Sequence, residues 1–487
     1  MSGRLIECLA TTPALAALFS DESVLQAMLE FEAALARAEA RHGIIPPQAA
    51  NAIAAAAVPA NFNISALADA SFRAGTPAIA LVKMLTDQLR KTDPDAARFV
   101  HWGATSQDVA DTAMSLLLMR AKPILIGDLS RLEKALANLS ENHKDTVMLG
   151  RTLLQAAPPV TFGLKAAGWL ASVRRGRQRL QKAFRGAVVL QFGGASGTLA
   201  SLGDRGIPVA QTLSAELGFP NSPPTPWHTQ RDQLAALICA CGVLTGSLGK
   251  MARDISLLMQ QEVAEASEPG GEGRGGSSTM PNKRNPIACS LSLAAAHRVP
   301  GLVASFLSAM VQEHERGVGG WQAEWPIVAS VVQSTGVAAA SMAEAAEGLT
   351  VDARKMRLNL ENTNGTIFAE RAMMLLATKL GRDVAHKILE AAVRKSIAEG
   401  KHLAAVLAET PELETHLSRV TLTELEIPEQ YLGSAEAFRN ALAAEPDRRN
   451  NDYEDNDCED EDCEDEDRED VDPQNNDPQN NDPRDNN

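Results

Sequence analysis

The chain has 487 residues, 45% of them hydrophobic, and a formal net charge of −16, so it can bury a large core spread over several domains. The charge is not evenly spread: residues 446–487 hold 19 acidic and 4 basic side chains, leaving 43 acidic and 42 basic in the remainder. A near-neutral body with no basic excess, followed by an acidic tail, argues against nucleic-acid binding. Alanine and leucine dominate and aromatic residues make up only 4%, which favours helix over sheet. No apolar run approaches the ~20 residues a membrane helix needs, so no membrane span is predicted. The N-terminal stretch MSGRLIECLATTPALAALFS is neither basic nor apolar enough for a signal peptide. The six cysteines lack metal-ligand spacing and read as reduced cytosolic thiols, which predicts a cytoplasmic protein.

Residues 22–42 space apolar positions at three and four, predicting an amphipathic helix ended by Gly43, and helical patterning resumes at 78–91. In HWGATSQDVADT (101–112), Thr105 or Ser106 can cap the following helix, with Asp108 in its first turn. A helix N-terminus carrying hydroxyls suits a carboxylate, although an ordinary cap has the same composition. Long helical runs follow at 107–147, 161–190, 227–266, 287–312 and 325–350, lengths that predict a bundle. The fold class is therefore all-α. The predicted domains are an N-terminal helical domain (1–106), a central long-helix bundle (107–350), a smaller C-terminal helical domain (351–445) and a tail (446–487). The tail repeats every five residues (NDYED, NDCED, EDCED, EDRED), a period that fits neither helix nor strand, and it is predicted to be disordered. A tandem expansion at a free terminus explains it, as does an acidic interaction tail.

The most informative stretch is PGGEGRGGSSTMPNKRNPIACS (269–290). Pro269 and five glycines at 270, 271, 273, 275 and 276 preclude regular structure over a loop at 269–285. The loop then presents Ser277, Ser278, Thr279, Asn282, Lys283, Arg284 and Asn285 before an apolar run begins. Asn285 reads as an N-cap with Pro286 in the first turn, so unpaired N–H groups would face whatever the loop encloses. A lid over a negatively charged ligand is one reading, and a surface linker is the other.

GGSSTMPNKRNP resembles the signature of the fumarase/aspartase superfamily, GSSxMPxKxNP, with every fixed position present. The resemblance continues through GRTLLQAAPPVTFG (150–163), FGGASGTL (192–199), HTQRD (228–232) and QEHERGVGGWQAEW (312–325). The last of these, with YLGSAEAF (431–438), is most similar to the 3-carboxy-cis,cis-muconate cycloisomerase branch. The resemblance implies a homotetrameric long-helix bundle whose active sites draw segments from three subunits. It implies a small polycarboxylate substrate and no metal or organic cofactor. Ser277 would move the proton, and Lys283 and Asn285 would stabilise the resulting aci-carboxylate. His101, Thr105, Ser106, Thr152, Gln155, Arg231, Ser278, Met280 and Arg316 would bind substrate. Arg231 and Arg316 also read as interhelical salt-bridge residues, and His314 as a packed core histidine. A serine hydroxyl is a poor base unless its oxyanion is stabilised, which a closed loop carrying Lys283 would do.

One departure from the elimination lyases separates the branches. Where they read GRTHLQ, this chain has Leu153, and Thr76 stands near the expected place of a second histidine. An amine or hydroxide leaving group needs acid assistance, whereas a carboxylate departs stably ionised. Loss of the histidine with retention of the serine loop therefore fits a cycloisomerase better than a fumarate-releasing lyase, and the resemblance implies intramolecular lactonisation of 3-carboxymuconate in protocatechuate degradation by the β-ketoadipate pathway. A fumarate-releasing elimination lyase and a non-catalytic homologue are the alternatives.

Overall fold

A computed structural model of the chain describes residues 5–220, 223–271, 275–276, 280, 283–413 and 416–444. The acidic repeat and, within the glycine loop, Ser277 and Ser278 lie outside the described residues. Helices α1 (Pro13–Leu18), α2 (Asp21–Arg41), α3 (Pro47–Ala56), α4 (Ile64–Ala74) and α5 (Pro77–Thr92) precede the 37-residue α6 (Ser106–Asn142). A hairpin of β1 (Val147–Thr152) and β2 (Gln155–Thr161) leads into α7 (Phe162–Ala187), α8 (Gly206–Glu216) and α9 (Asp232–Leu258). After β3 (Ala266–Ser267) come α10 (Ile287–Ala309) and α11 (Gly320–Glu347), then β4 (Thr350–Val351), which pairs antiparallel with β3. Smaller helices follow, from α12 (Ala353–Glu361) through α13 (Ala369–Leu380), α14 (Arg382–Glu399), α15 (Leu403–Ala408) and α16 (Arg419–Glu424) to α17 (Ala435–Ala444).

The expected long-helix architecture is present: α6, α7, α9, α10 and α11 pack on one another as a bundle. At ~1.5 Å per residue, α6 alone spans about 55 Å. Its inward stripe recurs every three or four residues (Ala113, Leu117, Ala121, Leu125, Leu129, Leu132, Leu136), and every member is buried. Close approach is enforced where α1 crosses the bundle, because a Cβ on Gly336 would lie 2.1 Å from Leu15 Cδ1. A second core gathers Phe368, Leu376, Leu389 and Leu407 around Val147 and Leu149 of β1.

Three features differ from the sequence reading. The hairpin was not foreseen: its strands cross through a bulge at Leu149/Gly150, inside a segment read only as a family motif. Helices α9, α10 and α11 are each long and apolar enough to cross a membrane by length and composition, although uninterrupted apolar runs had suggested none. Counting runs misses them because scattered glycine, serine and threonine interrupt the pattern without making it polar. In α9 and α11 that apolarity is spent on the bundle core, whereas α10 leaves Ile287 and Leu307 exposed. Third, α10 begins at Ile287, with Pro286 rather than Asn285 as its cap residue and no side-chain cap from either.

Candidate active site

The first turn of α6 forms a polar corner. Thr105 is the cap residue, and its backbone N–H donates to Asp108 Oδ2 at 3.0 Å. Because Asp108 closes the turn, the Thr105 hydroxyl is left for another partner. Arg316 supplies it, donating from Nη1 to Thr105 Oγ1 at 2.5 Å and from Nη2 to Ser106 Oγ at 3.0 Å, with a longer contact from Nε to Gln107 Oε1 at 3.4 Å. All three acceptors are neutral, and among the described residues no carboxylate pairs with Arg316. Each hydroxyl accepts from the guanidinium and so keeps its own proton to give. An uncompensated cation, two polarised hydroxyls and a helix N-terminus form a place for an anion.

Asp108 is wholly buried and holds the corner together. Besides Thr105 it accepts from the N–H groups of Gly193 (3.0 Å) and Gly194 (2.9 Å), and it lies 2.7 Å from His228 Nε2. The FGGASGTL segment can come this close only with glycine: a Cβ on Gly193 would meet Pro226 and His228 within 2.8 Å, and Gly194 adopts φ +68. One turn further, Asp111 accepts from Arg231 (2.8 Å), Trp321 Nε1 (2.9 Å) and Gln107 Nε2 (3.1 Å). Arg231 also donates to Glu324 Oε2 at 2.6 Å and stacks 4.5 Å from the Trp227 ring. At 2% exposure, with its donors committed to two carboxylates, Arg231 is the interhelical salt bridge of the two readings and is not presented to the corner.

His101, four residues before Thr105, sits in the left-handed region (φ 59), with Nδ1 2.7 Å from Glu32 Oε1 on α2. Burial alone would lower its pKa, but the Glu32 carboxylate, with Asp108 beyond it, more than offsets this and holds it above its ordinary value. His314, expected in the core, is exposed at φ 50, and its carbonyl accepts from Thr229. Its surroundings are the extended QEHERG segment rather than a helix face. Thr76 caps α5, accepting from the Ala78 N–H at 3.3 Å.

In the glycine loop, the Asn285 N–H donates to the Gly275 carbonyl at 2.9 Å, pinching the loop at its neck. Lys283 is exposed, Asn285 half-buried and Met280 exposed. The start of α10 is not open to a ligand, as the sequence had suggested. The buried Glu268 carboxylate accepts from the N–H groups of Ala288 (2.9 Å) and Cys289 (2.8 Å), filling that position with the chain's own anion. Thr152 and Gln155 face each other across the hairpin turn and are exposed. The turn itself is Leu153 and Leu154, both at positive φ (51 and 65) and exposed at 97% and 76%. Arg151, beside Thr152 near the tip, anchors the hairpin through a fork to the buried Glu265, at 2.6 and 2.9 Å.

Within one chain, then, Thr105, Ser106 and Arg316 come together with His101 beside them. Among the described residues no hydrogen bond or ion pair joins this group to Lys283, Asn285, Thr152 or Gln155. Sequence reasoning passed over Gln107, Asp111, His228, Glu324 and Glu32. The first two are polar residues at i, i+4 near the start of α6, a spacing that places both on one buried face. His228 and Glu324 stand in HTQRD and QEHERGVGGWQAEW, segments already singled out for their neighbours.

Comparison with known proteins places this geometry. Residues 7–301 match a lyase family model, and residues 365–442 match the adenylosuccinate lyase C-terminus. The chain belongs to the fumarase/aspartase lyase family. A relative from Bradyrhizobium diazoefficiens, 3-carboxy-cis,cis-muconate cycloisomerase, is 50% identical over 89% of this chain and 96% of its own. The crystal structure of 3-carboxy-cis,cis-muconate lactonizing enzyme from Pseudomonas putida aligns with a TM-score of 0.84 at 44% identity, covering 91% of this lyase and 98% of that chain. Nitrosuccinate lyase from Streptomyces davaonensis is 41% identical over 92% of this chain and 95% of its own.

Proposed function

We propose that this lyase is a 3-carboxy-cis,cis-muconate cycloisomerase, closing its substrate to a carboxymuconolactone in aromatic catabolism. The observation that carries the reading is Leu153. The hairpin tip that bears a histidine in elimination lyases is here wholly apolar, while the anion corner and the MPNKRNP lysine and asparagine are kept. A substrate carboxylate oxygen adds to the conjugated double bond, forming the C–O bond. The π electrons move onto the neighbouring carboxylate as an aci-carboxylate, stabilised by Lys283 and Asn285. Ser277 gives its proton to the carbon beside that carboxylate, and solvent reprotonates the serine oxygen. Thr105, Ser106 and Arg316 hold a further carboxylate, with His101 beside them and Thr152, Gln155, Ser278 and Met280 completing the pocket. No step calls for a metal or an organic cofactor.

In this reading the protein is a cytoplasmic homotetramer. The exposed apolar surface of α10 supports active sites assembled between copies. The test is the ultraviolet absorbance of 3-carboxy-cis,cis-muconate on adding enzyme, with fumarate assayed alongside. Loss of the diene band without fumarate supports the reading. The likeness to nitrosuccinate lyase favours a second reading, elimination from a substituted succinate, which fumarate release would establish instead.

A further inference from the structure

The N-terminal helix α2 contributes two carboxyl groups that the proposed chemistry leaves unused, Glu32 and Glu39, both essentially without solvent exposure. Among the described residues Glu32 has one partner, His101, and its second oxygen has none. Neither oxygen of Glu39 has a partner among them, and burial first, then the nearby Glu32, push its pKa up to about 9. Glu39 is therefore neutral at neutral pH. A buried carboxylate with a single hydrogen bond is costly unless that bond comes from a cation. The His101 ring supplies it and alone opens outward: its side chain is 17% exposed and that of Glu32 is 0%. The left-handed backbone at His101 is a strain that the Glu32 contact, 69 residues away in sequence, helps to hold.

We propose that Glu32 is a positioning residue for the lactonisation: it fixes the His101 ring through Nδ1 and keeps it an imidazolium, so that the opposite edge presents positive charge to a substrate carboxylate at the corner of Thr105, Ser106 and Arg316. This rests on the cycloisomerase reading above. The charged or titratable groups around the pair are Glu39 from α2 and Asp108 from α6, with His228 upon Asp108. With Glu32 present, His101 holds its proton to higher pH than an ordinary histidine. Without it, burial dominates and the ring loses its proton below its ordinary value.

The test compares wild type, Glu32→Gln and Glu32→Asp in the full chain. Histidines labelled at Cε1 are titrated by NMR, with His101 assigned from its loss in His101→Gln, and kcat/KM for lactonisation is followed against pH. In wild type His101 titrates above its ordinary value. In Glu32→Gln, which keeps a hydrogen-bond acceptor of the same size, both the titration and the alkaline limb of kcat/KM move to lower pH by about one unit or more. Glu32→Asp restores part of that shift. A His101 titration unmoved in Glu32→Gln overturns the proposal, as does a moved titration with an unmoved kcat/KM profile. Absence of wild-type lactonisation instead overturns the cycloisomerase reading, while the NMR titration still decides whether Glu32 sets the charge of His101.

Discussion

Replacing Arg316 with alanine removes the one charge at the α6 corner that has no acidic partner among the described residues. A carboxylate about 4 Å from a guanidinium gains roughly 4 kcal/mol at an effective dielectric constant near 20. Competition with water reduces a charge-assisted hydrogen bond to about 1.5–3 kcal/mol net. Arg316→Ala should therefore lower kcat/KM by about 10- to 150-fold, through KM more than kcat, because the carboxylate it holds is present in ground and transition states alike. Arg316→Lys keeps the charge but loses the fork that spans Thr105 Oγ1 and Ser106 Oγ, and should fall between the two. Both variants should melt within a few degrees of wild type, since the acceptors they release are neutral and the two close ones, on Thr105 and Ser106, are only partly buried. The assay is the initial rate of diene loss over a range of substrate concentrations, with a melting curve for each variant. A kcat/KM for Arg316→Ala within twofold of wild type, at unchanged melting temperature, would refute the anion-corner argument.

Ser277→Ala should reduce kcat by about 10²- to 10⁴-fold while calorimetry shows substrate still bound; near-normal turnover removes the serine from proton transfer. Gly336→Ala should cost about 1–3 kcal/mol, because its Cβ would lie 2.1 Å from Leu15 Cδ1, and a melting temperature equal to wild type would contradict the close α1–α11 contact. Asp111→Ala leaves Trp321 Nε1 without its acceptor and Arg231 with Glu324 as its one remaining buried carboxylate, and should cost about 3–5 kcal/mol, read as a lowered denaturation midpoint. If the proposed homotetramer covers the exposed hairpin tip with a second copy, Leu153→Asp should shift the sedimenting species to smaller forms and reduce activity; an unchanged sedimentation profile means the tip is not covered by a second copy.

Much of this architecture was legible because the bundle helices repeat apolar residues at three and four over twenty or more positions, a signal that survives local irregularity. The hairpin at 147–161 was not, because alternation is lost at the bulge and its turn is built from two leucines at positive φ in place of asparagine and glycine. The same limit explains α10. The pair Asn285-Pro286 looks like a helix start, and nothing local announces that Glu268, 20 residues earlier, supplies the cap. For the site, residue types were readable and partners were not. That Thr105 would spend its backbone N–H on Asp108 and its hydroxyl on Arg316 depends on a contact 211 residues away.

Those partners separate structure from function among the cations. Arg231 is forked onto Asp111 and Glu324, Arg177 onto Glu133 and Arg151 onto Glu265, each matched to a carboxylate of this chain. Arg316 alone of this group rests on neutral oxygens, and it does so at the N-terminus of a 37-residue helix, where positive potential is already highest. A fold that neutralises its other deeply placed guanidiniums and leaves this one on hydroxyls forgoes stability at one point. In the proposed function the missing counter-charge is supplied by an external carboxylate, which a polycarboxylate substrate would bring.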